Sequence, residues 1–303
     1  MTRRGLLLFA AMCVIWGIPY LLIRVAVSEL APPTLVFVRT GVAALILLPL
    51  VLARGGLRPL EGRWIALLAF AAVEVGLPWF MLASAETHVT SALAGLLVSA
   101  VPLVGVLIAT ALGNREHLHV ASLSGLGLGL AGVALIVGFD LRASSGVALL
   151  EMAVVVVGYA LGPAILSRYL TGVPSVTVIG VALALCAIAY APLGLAQRPQ
   201  VLPGLPVIGA VAALAIVCTA IAFLLFFALI AEIGPVRATV ITYVNPAVAA
   251  ILGVAVLRES LTLGMGAGFV LVLAGSILAT RRRKPAGVPA TSGQVVAGGA
   301  YEN

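Results

Sequence analysis

Few residues in this chain could do chemistry, and most of them lie inside apolar stretches. Glu74 sits about ten residues into the apolar run 64–84. A carboxylate in hydrocarbon costs about 2.5–3.5 kcal/mol on insertion scales, so it needs a partner or a task. Arg39 lies in the preceding run, 32–53. At 1.5 Å of rise per residue the two charges differ by only about 5 Å in depth. Three readings follow for Glu74: a packing ion pair with Arg39, a site for a substrate ammonium or a coupling proton, or exposure to lipid or solvent. Glu151 is the second intramembrane acid. It lies near the start of the run 146–168, where a helix dipole stabilises a carboxylate and the water interface is within reach.

Aromatic and helix-breaking residues gather around these charges. Pro78 follows Glu74 by four residues, which puts both on one helix face. Its missing N–H frees the carbonyl one turn back, at residue 74, which lipid tolerates only where protein or water re-satisfies it. Trp79 beside it can stack on a ligand, gate it, or serve as core. Pro102 and Pro246 lie 144 residues apart, with Tyr243 and Asn245 flanking the second. Asn245 offers two donors and an acceptor inside an apolar span, for a ligand or for an interhelical hydrogen bond. Tyr20 follows Pro19, Tyr159 precedes Pro163, and Trp16 opens the segment Trp16-Gly17-Ile18-Pro19. Together these predict a cavity lined by helices 1, 3, 4, 6, 8 and 9. Glu74, Pro78, Trp79, Pro102, Tyr20, Tyr159, Tyr243, Asn245 and Pro246 would contact substrate. Arg39 and Trp16 would form an ion pair or a gate.

Enzyme chemistry finds no foothold. The chain has no HExxH, Walker loop, CxxC or Gly-x-Ser-x-Gly, so no catalytic residue, metal or cofactor is expected. His117-Leu118-His119 is too small a set to hold a metal. Cys13, Cys186 and Cys218 are odd in number and each lies in an apolar stretch, which reads as buried small side chains rather than disulfides.

The elements that must position these residues are membrane spans. Of 303 residues, 63% are hydrophobic and only 9% charged, and the mean hydropathy is +1.25. Soluble domains carry roughly 25% charged residues, so the solvent of this fold is lipid. A spanning helix needs roughly 20 apolar residues. Ten runs qualify, at about 5–25, 32–53, 64–84, 91–113, 120–138, 146–168, 174–196, 205–231, 236–257 and 262–280. The first imitates a signal peptide but ends at Arg24 without a small-x-small cleavage site, so it is read as a retained helix. The segment after Lys284 is Gly-, Ala- and Pro-rich and is expected to be disordered.

The net charge of +7 sits in short loops and one tail without an aromatic-lined basic face, which argues against nucleic-acid binding. It orients the chain instead. With residue 1 inside, the inner side receives Arg3, Arg4, Arg54, Arg58, Arg63, Arg115, Arg168, Arg237, Arg281, Arg282, Arg283 and Lys284. The outer side receives Arg24, Arg39, Arg142, Arg198 and Arg258. Twelve against five places both termini in the cytoplasm.

The sequence also repeats itself. Arg115-Glu116-x-Leu118 matches Arg258-Glu259-x-Leu261, and Gly125, Leu128, Leu130, Ala131, Gly132 and Leu135 match Gly268, Leu271, Leu273, Ala274, Gly275 and Leu278, all at an offset of 143. Pro19 and Arg24 match Pro163 and Arg168 at 144. Five spans per copy is odd, so the second copy must cross in the opposite sense, the plan of many secondary transporters. The expectation is an all-α membrane protein with ten transmembrane helices as two inverted five-helix repeats: residues 1–138, residues 146–280, and a basic then disordered cytoplasmic tail, 281–303. Glycines 125, 127, 129 and 132 and glycines 264, 266, 268 and 275 line helices 5 and 10. They predict close scaffold packing, with weak homodimerisation as the lesser reading.

These features resemble the EamA domain of the drug/metabolite transporter superfamily. The resemblance rests on Trp16-Gly17 in a helix ending in a basic residue, Phe37-Val38-Arg39, Pro102 in helix 4, the Arg-Glu-x-Leu turn before a Gly-rich helix, and Asn245-Pro246 with Arg258-Glu259-Ser260-Leu261 in the second copy. It covers roughly residues 5–280. Arg24 stands where the family often has Lys, and Gly113-Asn114-Arg115-Glu116 replaces a more usual Gly-Glu-Arg. The resemblance implies a ten-helix inner-membrane transporter, not an enzyme, that exports small metabolites. Aromatic amino-acid exporters are the nearest branch. Lipophilic-cation export by proton antiport and a non-transporting membrane subunit stand as alternatives.

Overall fold

The computed structural model describes residues 2–111, 120–138, 145–238 and 240–280. The Arg115-Glu116 turn, His117, His119, Arg142 and the tail 281–303 lie outside the described residues. Among those described, the regular structure is helical throughout.

Helices occupy each of the ten apolar runs, with ends within a few residues of those expected. The first run forms α1 (Arg3–Ile15) and α2 (Pro19–Ala26), and the second forms α3 (Pro32–Ala53). The third comprises α4 (Trp64–Phe70), a π-helical turn (Ala71–Gly76) and α5 (Leu77–Ala85). The fourth divides into α6 (Ser91–Val98) and α7 (Val101–Ala111). Then follow α8 (Val120–Gly138), α9 (Gly146–Tyr169) and α10 (Ser175–Ala196). The eighth run comprises α11 (Leu205–Ala215), a second π-helical turn (Ile216–Ile221) and α12 (Ala222–Ile233). Last come α13 (Pro235–Ala238), α14 (Ile241–Leu257) and α15 (Leu263–Thr280). Among the described residues, eight helical stretches are long and apolar enough to cross a membrane, and Ser122–Gly138 and Ile241–Leu257 are two shorter apolar helices. Large apolar side chains face outward, such as Ile65 at 86% and Leu263 at 94% exposed. Water would penalise that surface and lipid does not.

Local chemistry sets the helix ends. Thr2 and Thr90 cap α1 and α6, their hydroxyls accepting from the Gly5 and Leu93 amides at 3.0 and 3.2 Å. Pro19 and Pro32 open α2 and α3, where the missing N–H costs nothing. Gly234, at φ +83°, ends α12. Arg258 closes α14 in the left-handed region at φ +56°, and the following amide, of Glu259, donates to Gly253 O at 3.1 Å.

A π turn widens the hydrogen-bond ladder and releases carbonyls, which in lipid must find partners. Those of the first π segment find them on α10: Cys186 Sγ donates to Ala71 O at 3.3 Å and Tyr190 OH to Gly76 O at 3.0 Å. In the second, Thr219 Oγ1 donates to Leu214 O at 2.7 Å. The two π turns begin 145 residues apart, at 71 and 216.

The most extensive packing is α8 on α15 and α3 on α10, followed by α5 on α9, α6 on α14, α2 on α11 and α1 on α12. Every one of these pairs joins a helix before residue 139 to one after residue 145. Between α8 and α15 the backbones touch. A Cβ on Gly125 would lie 2.5 Å from Ala279 N, one on Gly132 2.6 Å from Gly268 O, and one on Gly275 2.5 Å from Gly129 N. Gly127 and Gly266 meet nothing within 4 Å. The faces that carry Gly125, Gly132, Gly268 and Gly275 are therefore spent on each other, while Gly127 and Gly266 face away from that seam.

Candidate functional site

The polar centre of the molecule is built on Arg39. Its side chain is 6% exposed, in the middle of α3. Nε donates to Thr219 Oγ1 at 3.0 Å, and the guanidinium carbon lies 3.7 Å from the centroid of the Trp79 ring. Thr219 can accept because its own proton is committed to Leu214 O in the π turn. Trp79 is in place because Pro78 sits in the first turn of α5, directly after the other π turn. Each half of the chain thus contributes one π turn to holding this cation.

Glu74 does not pair with Arg39. It lies in the π turn before α5, half-buried, and its Oε2 is buried without a hydrogen-bond partner. The carboxylate rests on α9 at Gly162, where a Cβ would overlap it. One turn earlier on α9, a Cβ on Gly158 would lie 2.5 Å from Val73 O and 2.6 Å from Pro78 Cγ. The Gly158-x-x-x-Gly162 spacing is what lets α9 approach so closely. It is the sequence signal that our reading of helix 6 passed over. Tyr159, between those glycines, packs against both main hydrophobic clusters and lies within Coulombic reach of Arg39, Glu74 and Glu86. Tyr20, 7% exposed, lies within the same reach of Tyr159, Glu86 and Arg39, and its ring packs over Gly95 of α6. The structure therefore brings together Tyr20, Arg39, Glu74, Pro78, Trp79 and Tyr159, from runs 1, 2, 3 and 6, and adds Thr219 from run 8.

The remaining predicted residues stand elsewhere. Trp16, at the break between α1 and α2, packs on α12, with ring centroids 4.7 Å from Phe226 and 5.7 Å from Phe223. Asn245 is 8% exposed. With its amide nitrogen facing the two carbonyls, it donates to Cys13 O and Ile241 O, each at 3.0 Å. The α1–α2 break explains the first bond: Gly17 N reaches back to Val14 O rather than to Cys13 O. Gly17 lies against α14, a Cβ there being 2.5 Å from Val248 Cβ. Tyr243 OH is 3.2 Å from Thr280 Oγ1, at the end of α15. Pro102 is the second residue of α7, just past the break at Ser99-Ala100, and Pro246 is buried within α14. The polar side chains of helix 9 thus bond to α1, to their own helix and to the end of α15, while its backbone packs on α6 and α2. Glu151 accepts from Ser84 Oγ at 2.6 Å.

One residue escaped the sequence reading altogether. Glu86, the first residue past the run Trp64–Ala85, is 0% exposed, and neither carboxylate oxygen has a hydrogen-bond partner among the described residues. Arg24 donates to its backbone carbonyl. Nearby, Glu259 of the Arg-Glu-x-Leu turn caps α6: Oε1 accepts from Ser91 N at 2.8 Å, and Oε2 from Ala92 N at 2.9 Å and Ser91 Oγ at 3.1 Å. An anion at a helix N-terminus is stabilised by the orphan amides and the dipole. In sequence Glu86 precedes Thr87 and His88 and reads as an ordinary loop acid; its burial shows only in the fold.

The chain is 28% identical over 263 residues to a protein called "Uncharacterized inner membrane transporter YedA" from Escherichia coli (strain K12), covering 83% of this chain and 82% of that protein. It matches the proteins of the same description from Escherichia coli O6:H1 and O157:H7 to the same extent. A solved crystal structure superposes with a TM-score of 0.65 at 24% identity, over 92% of this chain and 97% of that one, which speaks to the fold. The profile of the EamA-like transporter family matches residues 3–138 and again residues 146–281. Matched over both halves, the chain belongs to the EamA-like transporter family and is a membrane transporter of small molecules rather than an enzyme.

Proposed function

We propose that the chain is an inner-membrane secondary transporter that exports small metabolites, amino acids including aromatic ones foremost, by alternating access at the Arg39–Glu74 centre. Ten spans form two inverted five-helix repeats, with both termini in the cytoplasm. The repeated motifs at offsets of 143–144, the π turns 145 apart and the pairing of every major helix with one from the other half support that plan. So does the twelve-to-five division of basic residues.

The observation that carries the function is the Glu74 carboxylate, lodged in a π turn with Oε2 unpartnered; Tyr159 lies within reach of both it and an arginine fixed by Thr219 and Trp79. The positions equivalent by repeat are Glu74 and Thr219, 145 apart. Arg39 answers Thr219 on one side; on the other, α10 carries Leu183 and Ala184 at the matching offsets. Glu74 thus lacks the built-in cation that its counterpart has. A zwitterion fits such a centre: its carboxylate meets the guanidinium, its ammonium meets Glu74, and Trp79, Tyr159 and Tyr20 enclose an aromatic or apolar side chain. No nucleotide-binding loop is present, so energy comes from a gradient or from substrate flow.

The test is efflux from proteoliposomes loaded with a panel of labelled amino acids and lipophilic cations, with and without a pH gradient. Aromatic amino acids leave the vesicles, and Glu74→Gln slows them at least tenfold. Efflux of net cations alone, coupled to protons, favours the drug-exporter reading, in which Glu74 exchanges a cation for a proton. Empty results across the panel favour a non-transporting membrane subunit.

A further inference from the structure

Glu86 carries an inference that rests on, and goes beyond, the transporter reading. Its side chain is fully buried where the ends of α2, α5 and α6 meet the Glu259 turn, and both carboxylate oxygens lack a hydrogen-bond partner. A bare carboxylate anion in such a place costs several kcal/mol, whereas a neutral carboxylic acid does not. Arg24 offsets it only in part, because that guanidinium is bonded to the Glu86 backbone carbonyl rather than to the carboxylate. Glu259 does not help either: its carboxylate is held by α6 and adds like charge nearby.

We propose that Glu86 is a proton-binding site of the outer gate: it holds a proton while this end is closed and gives it up when the end opens. Closure removes water from Glu86. Opening separates α2, α6 and the Glu259 turn, rehydrates the carboxyl and lets it ionise. The cap of Glu259 on Ser91 and Ala92 joins residue 259 to residue 91, so the same closure ties the two halves of the chain.

The charged and titratable groups facing Glu86 come from every element around it: Arg24 and Tyr20 on α2, Arg39 on α3, Tyr159 on α9 and Glu259 after α14. On its own segment, His88 is exposed and paired with Thr87 at 2.6 Å. Burial pushes the Glu86 carboxyl well above the usual carboxylate range, the Glu259 charge pushes the same way, and Arg24 and Arg39 oppose them without prevailing. The sign follows. The closed form binds the proton more tightly than the open form. Its extra stability is fully present below the ordinary carboxylate pKa and is lost as pH rises through the raised value. Low external pH therefore favours the closed gate, by up to about tenfold in the closed-to-open ratio per pH unit within that window.

The experiment uses the full chain in lipid nanodiscs, compared across a pH series with Glu86→Gln and Glu151→Gln. Infrared difference spectra of the wild type should show the carbonyl stretch of a buried protonated carboxylic acid. In a Glu74→Gln background, which removes the other buried carboxyl with an unpartnered oxygen, Glu86→Gln should abolish it, and Glu151→Gln, whose carboxylate is bonded to Ser84, should keep it. Hydrogen exchange at the Ser91 and Ala92 amides, corrected for intrinsic rates, should quicken as pH rises in the wild type and lose that dependence in Glu86→Gln. A wild type without the band, a band that survives Glu86→Gln in that background, or protection independent of pH in the wild type overturns the proposal. If Glu86→Gln does not fold, the band of Glu74→Gln and the wild-type exchange profile decide it. Neither readout needs a substrate, so an inactive result in the efflux assay and a failure here are separate outcomes.

Discussion

Arg39 is where the balance of forces is sharpest. A buried guanidinium has lost its hydration, and what repays that loss is one bond to Thr219 and the face of Trp79. A hydrogen bond to a charged group contributes about 1.5–3 kcal/mol, and a desolvated cation–π contact about 2 kcal/mol. Removing the cation also removes its desolvation cost, so Arg39→Ala should destabilise by only about 1–2 kcal/mol, seen as a lower Tm of purified protein. Arg39→Lys should lose a similar amount, because an ammonium cannot both lie flat on Trp79 and reach Thr219. If the change were to raise Tm, the contacts would not offset the burial. Asn245→Leu should cost about 1 kcal/mol by orphaning Cys13 O, and it should leave the pH dependence of transport unchanged. That Glu74 and Arg39 lie inside adjacent apolar runs was legible in the sequence, but not their partners. A partner is chosen by the direction a side chain takes around its helix, and one extra residue in a wide turn rotates everything beyond it by roughly 100°. The π turn at Ala71–Gly76 does that, and nothing in Ala-Ala-Val-Glu-Val-Gly announces it.

Elements were easier to read than the contacts between them. Twenty-residue apolar runs leave little choice in lipid, because a helix satisfies its own backbone, and the glycine spacing of α8 and α15 marked faces made for close approach. What spacing alone left open was whether those faces meet each other or a second copy. The backbone contacts of Gly132 and Gly275 answer that. Gly275→Leu should force α8 and α15 apart against backbone atoms that cannot yield, costing at least about 1–3 kcal/mol and reducing the folded fraction in size-exclusion profiles. Gly127→Leu, on an exposed face with nothing within 4 Å, should behave as wild type. Equal loss from both would mean that a lipid-facing or oligomeric surface, rather than the α8–α15 seam, limits folding. Glu259 of the Arg-Glu-x-Leu turn caps a helix far from it in sequence: it reaches back 168 residues to α6. Glu259→Ala should cost about 0.5–2 kcal/mol, the usual worth of an N-cap, with faster amide exchange confined to the start of α6.

At the scale of the whole molecule, the inverted plan rests on each run crossing once, and the contacts between loops bear on that by parity. Thr2 meets Glu232, so the start of run 1 and the end of run 8 share a side, as eight crossings require. Arg63 meets Thr171 O, four crossings apart. Arg24 meets Glu86 O, and Glu29 receives Gly204 N at 2.7 Å; these are two and six crossings apart. Glu259 meets Ser91 after six more. Every intervening number is even, including those that count the shorter run Ser122–Gly138. The proposed orientation, with both termini inside, rests on the charge balance. Single cysteines at exposed loop positions give the direct test, and the native Cys13, Cys186 and Cys218 are buried and contribute little background. Ser28→Cys and Gln200→Cys should react with a membrane-impermeant maleimide on intact cells. Glu61→Cys and Thr171→Cys should react only after the membrane is opened. The opposite pattern would invert the orientation and move the Glu86 gate to the cytoplasmic face. A mixed pattern within either pair would break the parity, and the inverted repeat with it.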